Sequence, residues 1–348
     1  MNSHYDAAVL VIYTGGTIGM VNTPHGLAPG PDMEARVRRA VDELPAQRRA
    51  SLPAFEWLEV ATPIDSSSAQ PEDWAALARL VADHYLAYRG IVVLHGTDTL
   101  AWTASSLAFQ LQGIDRPVVV TGSMAPLAAA ESDALDNLVD ALGFAAMPQL
   151  QEVAVCFAGK LLRGCRSRKW HARDSDAFTS PNAPLLGECV SGHWQLHESR
   201  GLDTVQRGAP RFELGDYRGL GDKVVRIPLW PGIRPWQLAA WLDDDRVEGA
   251  LLEVWGGGNV PDDPQLGAVL AEASGQGKLL VAISQCPQGT IAIGHYAAGQ
   301  LLAAAEVVSG DDMTPEAAFT KLVHLLSLPL DSAQRRELFR TPLVGERG

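Results

Sequence analysis

The chain has 348 residues, of which 47% are hydrophobic and 20% charged, and a formal net charge of −13. That is the make-up of a globular protein too long for a single core, so two domains are expected and disorder is excluded. A surface this acidic repels phosphate backbones, which excludes nucleic acid as a general partner but leaves room for a small zwitterion held by local groups.

Residues 1–6 lack the basic-then-apolar layout of a signal peptide. No apolar run approaches the roughly 20 residues that span a bilayer. A cytoplasmic protein with no membrane partner is therefore expected. Cys156, Cys165, Cys189 and Cys286 show neither CxxC pairing nor finger spacing. Free buried thiols, rather than disulfides or a zinc site, fit a reducing compartment.

Residues 8–13 are a β-branched run that reads as a buried parallel strand. The run continues into Thr14-Gly15-Gly16-Thr17-Ile18-Gly19. Glycines there let the backbone turn at the carboxyl end of a strand, where open α/β sheets hold ligands. Hydroxyls flank the turn on both sides. The segment lacks the Lys-Ser/Thr ending of a P-loop and the spacing of a dinucleotide fingerprint. A tight turn, an anion loop and a hydroxyl nucleophile all remain open at this point.

Ile64-Asp65-Ser66-Ser67-Ser68 precedes a helix expected over residues 71–88, with Trp74, Leu77, Val81, His84 and Tyr88 on one stripe. Serine hydroxyls at a helix start suit a carboxylate ligand, and equally a plain polar cap. Residues 90–94 are the next strand, followed by His95-Gly96-Thr97-Asp98-Thr99 and a helix around residues 100–111. Asp98 in a first helical turn is favoured as an anion and can hold an ammonium group. Thr97 beside it is a candidate nucleophile or water activator, with an ordinary N-cap as the structural alternative. His95 reads as a packed, hydrogen-bonded histidine.

Strands at 117–121 and 153–157 lead to Arg163-Gly164-Cys165-Arg166-Ser167-Arg168-Lys169, then Asp176-Ala177-Phe178 and Ser180-Pro181-Asn182. A threonine hydroxyl needs a base, and a lysine deprotonated by burial and neighbouring cations can serve. A solvated basic patch is the bland reading. Residues 199–222 hold Gly201, Gly208, Gly215 and Gly219 with little periodicity, and read as an interdomain linker. Strands at 223–229, 249–255 and 278–284 then alternate with helices at 235–242, 263–273 and 315–327. Such alternation means an open α/β sheet with helices on both faces.

The four chemistry-bearing segments, in this order, resemble the bacterial-type L-asparaginase family, and its cytoplasmic type I branch in particular. The first signature is similar to residues 13–20 and the second to residues 92–99; the Asp-Ser-Ser loop is at 65–74 and the lysine segment at 163–182. Thr121-Gly122-Ser123 with Pro126, Ser132-Asp133, Asn137, Pro231-Gly232-Ile233, residues 256–259, Gln288-Gly289, Tyr296-Ala297-Ala298-Gly299 and residues 309–314 extend the likeness from about residue 9 to residue 338. The resemblance implies a larger N-terminal open α/β-sheet catalytic domain over residues 1–205, a linker over 206–222, and a smaller flavodoxin-like C-terminal α/β domain over 223–348.

The resemblance also implies hydrolysis of L-asparagine to L-aspartate and ammonia through a β-aspartyl-threonine ester, without metal or cofactor. It makes Thr14 the first catalytic threonine. Thr97, Asp98 and Lys169 form the second group, with Lys169 tuning the Thr97 hydroxyl. Asp65, Ser66 and Ser67 line the substrate, the two serines holding its α-carboxylate and Asp98 its α-ammonium. Family members are homodimers or homotetramers, with Asn259 the residue that a neighbouring subunit would lend. Cys286 corresponds to a second, activating asparagine site.

Two departures stand out. Leu27 occupies the place of a mobile-loop tyrosine that touches the nucleophile, and Tyr13, in the strand, does not simply replace it. Cys165 stands where the family commonly has asparagine. Four rival readings remain. A tRNA-dependent amidotransferase subunit would carry a preceding domain, whereas this chain enters its first strand within about ten residues of its start. A relaxed glutaminase-asparaginase differs by one methylene, worth about 1–3 kcal/mol in a pocket. A non-catalytic amino-acid sensor is opposed by the presence of Thr14, Thr97 and Lys169. A nucleotide-binding protein is the bland reading of the glycine turn.

Overall fold

A computed structural model describes residues 8–294 and 299–348; Tyr296, Ala297 and Ala298 of the family likeness lie outside the described residues. The chain divides into two compact units, Met1–Ala69 with Ala76–Leu214, and Gln70–Ala75 with Gly215–Gly348.

In the first unit β1 (Val9–Tyr13) leads through a hairpin, β2 (Met20–Thr23) and β3 (Gly26–Pro29), to helices α1 (Met33–Asp42) and α2 (Ala46–Ala50). There follow β4 (Phe55–Glu59), α3 (Pro71–His84), β5 (Gly90–Leu94), α4 (Leu100–Gln110), β6 (Val118–Thr121), α5 (Ala134–Ala145) and β7 (Val153–Phe157). Short strands close the unit: β8 (Lys160–Arg163), β9 (Arg168–Lys169), β10 (Phe178–Thr179), β11 (Gly187–Val190) and β12 (His193–Leu196). The main sheet runs β12-β11-β8-β7-β6-β5-β1-β4. Strands β4, β1, β5, β6 and β7 are parallel, while β8, β11 and β12 are antiparallel additions.

The chain steps outward from β1 to β4, then crosses back to place β5 on the other side of β1. The direction of winding therefore reverses between β1 and β5. In open α/β sheets, the crevice outside the carboxyl ends of the strands at such a reversal is the ligand site. Both strands are fully buried runs of aliphatic residues, apart from Tyr13 and Gly90, as central parallel strands require.

Helix α3 stops at His84, four residues short of the expected end. Arg116 explains the stop: its Nη1 donates to the carbonyls of Tyr85, Leu86 and Tyr88 at 3.1, 3.0 and 2.6 Å. A cation thus satisfies carbonyls left open past the helix end. Tyr85, rather than Tyr88, completes the buried stripe of Trp74, Leu77 and Val81.

The stretch read as a linker is packed. Arg211 and Glu213 donate backbone N–H groups to the carbonyls of Gln112 and Gln110 at 2.7 and 2.8 Å within the first unit. Tyr217, 1% exposed, bonds through its hydroxyl to His324 Nδ1 at 3.0 Å within the second.

The second unit contains β13 (Val224–Pro228), α6 (Pro235–Leu242), β14 (Gly249–Val254), α7 (Pro264–Gly275), β15 (Leu279–Ser284), α8 (Gln300–Ala304), β16 (Val308–Ser309), α9 (Pro315–Leu326) and α10 (Ser332–Arg340). Its four strands are parallel and lie side by side in chain order. With right-handed crossovers, strands added successively in one direction put their connecting helices on one face. Accordingly α6, α7 and α8 pack in series, with Leu238, Leu266 and Leu302 sharing a core with Ile227, Leu252 and Ala282. Helices α9 and α10 pack together and against the sheet.

Lys321 and Glu346 form an ion pair with no solvent exposure at all. Lys321 also donates to the carbonyls of Phe339 and Thr341 at 3.0 and 2.6 Å, and Glu346 accepts the N–H groups of Leu343 and Val344 at 3.0 and 2.9 Å. Removing one member of a buried, fully bonded pair strands the other charge. Lys321→Met should lower the unfolding free energy of the second unit by about 3–5 kcal/mol in urea titration; a loss under about 1 kcal/mol would mean that water reaches the pair.

Candidate active site

The turn after β1 is built by what its glycines allow. Thr14 has no solvent exposure, and its N–H and hydroxyl both donate to the Leu94 carbonyl, at 3.0 and 2.8 Å. It thus adds one rung to the β1–β5 ladder and faces inward. Gly16 adopts φ 95°, where only glycine is at ease. A Cβ on Gly16 would lie 2.6 Å from both the Cα and the nitrogen of Gly96, and one on Gly96 would strike the Ser66 side chain. The loops after β1, after β5 and before α3 therefore meet backbone to backbone.

Beyond Gly16 the chain makes one 3₁₀ turn, Thr17–Gly19, and Thr17 faces a cavity of about 510 Å³. Its hydroxyl takes no hydrogen bond among the described residues. The expected nucleophile Thr14 lies at the floor of the same turn, and both threonines flank the same pair of glycines.

Across the cavity Lys169 Nζ donates to Thr97 Oγ1 at 2.9 Å and to Asp98 Oδ1 at 2.8 Å. Lys169 stands on β9, which pairs with β10 so that Phe178 lies opposite it. Phe178 packs on Phe157 of the main sheet, with ring centroids 4.7 Å apart. A short two-stranded piece, anchored by aromatic packing, thus aims the amine. The group that touches this amine as an ion-pair partner is a carboxylate, not the cations expected around it. Because Lys169 donates to the Thr97 oxygen, the Thr97 proton remains available to a group in the cavity. Thr97 is 6% exposed, whereas the Asp98 side chain is 62% exposed.

The Asp65 carboxylate accepts the N–H and hydroxyl of Ser67 at 3.0 and 2.9 Å, capping a 3₁₀ turn at Ser66–Ser68. Ser67 is thus held by the turn and is absent from the cavity lining, which Asp65 and Ser66 share. Thr99 ties the loop to α4 by donating to the Ser66 carbonyl at 2.7 Å. The loop after β6 is fixed by Asp133, which accepts the N–H groups of Met124 and Ala125 at 2.9 and 3.0 Å. Asn137 donates to the Gly122 carbonyl at 3.0 Å and accepts the Ala158 N–H at 2.9 Å. These bonds carry Met124 to the cavity wall and give Ser132-Asp133 and Asn137 a positioning role.

The cavity has a polar side of Thr17, Asp65, Ser66, Thr97, Asp98 and Lys169, faced by Met20, Leu27, Pro29 and Met124. Leu27, half exposed, sits on β3 opposite Asn22 of β2. Tyr13 also lines the cavity, despite its place in the strand. Its ring stacks on Trp57 at 5.7 Å between centroids, and its hydroxyl packs against Gly19, where any side chain would collide with it. Burial, and then the Glu59 carboxylate, raise the Tyr13 phenol above its usual range, against the pull of Arg36.

His95 is packed as expected, 2% exposed and bonded to the Gly96 carbonyl at 2.8 Å and the Thr103 hydroxyl at 3.1 Å. All four cysteines are free; Cys156 and Cys165 are buried, but Cys189 is only partly buried and Cys286 is exposed. The expectation of buried thiols thus holds for two of the four. Asn259 and Cys286 belong to the second unit. Asn259 exchanges two backbone hydrogen bonds with Trp255, and its side-chain oxygen is buried without a partner among the described residues. Cys286 lies just past β15, its N–H held by the Ser284 hydroxyl at 3.0 Å. Among the described residues no group of three His, Cys, Asp or Glu side chains could hold a metal ion, and no helix is long and apolar enough to cross a membrane.

The family model described as Asparaginase, N-terminal matches residues 8–201, and that described as Glutaminase/Asparaginase C-terminal domain matches residues 223–339. L-asparaginase 1 of Escherichia coli (strain K12) is 38% identical over 339 residues, covering 97% of each chain. The 60 kDa lysophospholipase of Mus musculus is 35% identical over 97% of this chain and 62% of its own length. The crystal structure of L-asparaginase I from Vibrio cholerae superimposes with a TM-score of 0.87 at 36% identity, over 98% of this chain and 99% of that one.

The contact between Gly16 and Gly96 is a backbone-to-backbone constraint at the site. Gly16→Ala should cost more than about 1 kcal/mol of stability, since φ and contact are both incompatible with a methyl group, and should also reduce turnover. Calorimetry with a parallel activity assay checks this; a variant unchanged in both would show that the two loops separate freely.

Proposed function

The chain belongs to the asparaginase family, and from that premise we propose that it is an L-asparaginase, an amidohydrolase that converts L-asparagine to L-aspartate and ammonia. The observation that carries the reading is the Lys169 amine bridging the Thr97 hydroxyl and the Asp98 carboxylate, on a cavity that Thr17 also lines. Thr14 is the nucleophile in this reading: its hydroxyl rests on the Leu94 carbonyl at 2.8 Å and turns to the substrate amide, while Thr17, further along the same loop, lines the cavity beside it.

The α-ammonium of the substrate pairs with Asp98 and the α-carboxylate with Ser66, so the zwitterion is bound by local groups in an acidic protein. Asp65 shapes the turn that presents Ser66, and Ser67 supports Asp65. The Thr14 oxygen bonds to the side-chain amide carbon, and backbone N–H groups near Thr97 hold the resulting oxyanion. The C–N bond then breaks as the nitrogen takes the proton that the Thr14 hydroxyl gave up, and ammonia leaves. Thr97, its oxygen held by Lys169, orients a water molecule. The water oxygen bonds to the acyl carbon, the ester bond to Thr14 breaks as a water proton returns to its oxygen, and L-aspartate departs.

This chemistry calls for no metal or cofactor. The enzyme acts in the cytoplasm as a homodimer or a pair of dimers. The side-chain oxygen of Asn259, without a partner among the described residues, is the group a neighbouring subunit would lend, and Cys286 marks a second asparagine site that activates. A relaxed glutaminase-asparaginase is the second reading. A cavity of about 510 Å³ admits glutamine on size, and one methylene gives only about 1–3 kcal/mol of preference.

Thr14→Val should lower kcat by about 10³-fold or more in a steady-state ammonia assay, with Lys169→Met costing about 10²–10⁴-fold. Thr14→Val should fold, because its N–H still reaches the Leu94 carbonyl. If Thr17→Val is dead while Thr14→Val is active, the assignment of the nucleophile is reversed. Turnover should be unchanged by a chelator, and kcat/KM for L-glutamine should fall below that for L-asparagine by about 10–200-fold.

A further inference from the structure

Four apolar side chains face the polar side of the cavity: Met20, Leu27, Pro29 and Met124. None of them belongs to the buried core. Three come from one face of the β2–β3 ribbon. Met20 pairs with Pro29 and Asn22 with Leu27, which puts these four side chains on one side of the ribbon and those of Val21 and Ala28 on the other. Apolar groups that line a cavity without packing in a core stay wet until a ligand covers them.

L-Asparagine does not cover this wall. It brings a single methylene; its other groups are an ammonium, a carboxylate and an amide. The cavity, about 510 Å³, falls in the range of roughly 300–1,000 Å³ that holds drug-sized ligands, so a small amino acid leaves part of it open. What the wall fits is a substrate with an apolar group attached. The ammonium and the carboxylate are taken by Asp98 and Ser66 in the reading above, so the attachment point left is the amide nitrogen.

We propose, on the asparaginase reading above, that the chain also hydrolyses secondary β-amides of L-aspartate whose nitrogen carries an alkyl or aryl group, and that Leu27 sets the preference for that group. An amide carbon is planar. With its oxygen turned to the N–H groups near Thr97 and its methylene turned to Asp98 and Ser66, the nitrogen takes the remaining direction, towards the ribbon. A substituent there runs along Met20 and Leu27. Leu27 is 49% exposed, so the path beyond it opens to solvent and a bulky group is not stopped by a closed wall. The Thr14 oxygen bonds to the amide carbon, the C–N bond breaks, and the amine leaves with the proton that the Thr14 hydroxyl gave up. Water then cleaves the ester to L-aspartate, as it does after ammonia leaves. Leu27 touches only the departing group, so it selects the substrate without taking part in the bond changes. A charged substituent is disfavoured, because the wall offers a charge no hydrogen bonds.

Aniline release from L-aspartic acid β-anilide, with ammonia release from L-asparagine measured on the same sample, tests this. The wild-type chain should turn over both. Leu27→Asn should lower the ratio of kcat/KM for the anilide to kcat/KM for asparagine by about tenfold or more, and Leu27→Phe should hold that ratio within about threefold of wild type. β-Aspartyl-glycine, with a carboxylate on the substituent, should have a kcat/KM at least about tenfold below that of the anilide. Because both rates come from one sample, a partly misfolded variant lowers them together and leaves the ratio alone. Asparagine hydrolysed while the anilide stays inert would overturn the proposal and leave the asparaginase reading standing. No ammonia from asparagine would overturn that reading and the proposal with it. A ratio that Leu27→Asn does not move, or β-aspartyl-glycine cleaved as well as the anilide, would also overturn it, since the ribbon wall would then not select the leaving group.

Discussion

The loop after β1 and the loop after β5 touch through Gly16 and Gly96 at a separation with no room for a methyl group. This contact lies where the winding of the sheet reverses, so the crevice left by the topology is narrowed until hydroxyls from both loops share one cavity. Thr14 holds the base of the arrangement by tying its loop to the end of β5, and Thr17 is delivered one 3₁₀ turn further on. Ser66 comes from a third loop, and its side chain is the neighbour that a methyl group on Gly96 would strike. Small residues at the meeting point are what let larger, reactive ones converge around it.

The cation of the site reaches the cavity by a different route. Lys169 lies outside the main sheet, on a two-stranded piece whose aromatic residue packs against β7. Its amine is divided between a buried hydroxyl and an exposed carboxylate. The same amine therefore orients Thr97 and holds Asp98 in place, so the group that tunes a hydroxyl also sets the position of the acid proposed to receive the ammonium of the substrate.

Much of this was legible in the primary chain, for reasons that differ by element. Strands β1, β5, β6 and β7 are nearly uninterrupted aliphatic runs because both faces of the sheet are covered. β4 carries Glu56 and Glu59 on a sheet edge, and β8, β11 and β12 are four residues each and only half apolar, so none of them shows as a run. The end of α3 depends on Arg116, which is remote in sequence. At the site, Thr97, Asp98 and Lys169 were named from motif and meet as expected. Tyr13 was set aside as a strand residue, yet it lines the cavity. Which way a side chain leaves a glycine turn or a strand end is decided by backbone angles such as the φ values of 120° and 95° at Gly15 and Gly16, not by composition.

The hairpin of β2 and β3 carries a different kind of consequence. It forms its own two-stranded ribbon, separate from the eight-stranded sheet, with most of its residues open to solvent. Yet Met20, Leu27 and Pro29 supply one wall of the cavity. A change of side chain in that wall is consequently uncoupled from the core, so the ribbon can reshape the cavity while the sheet beneath it keeps its packing.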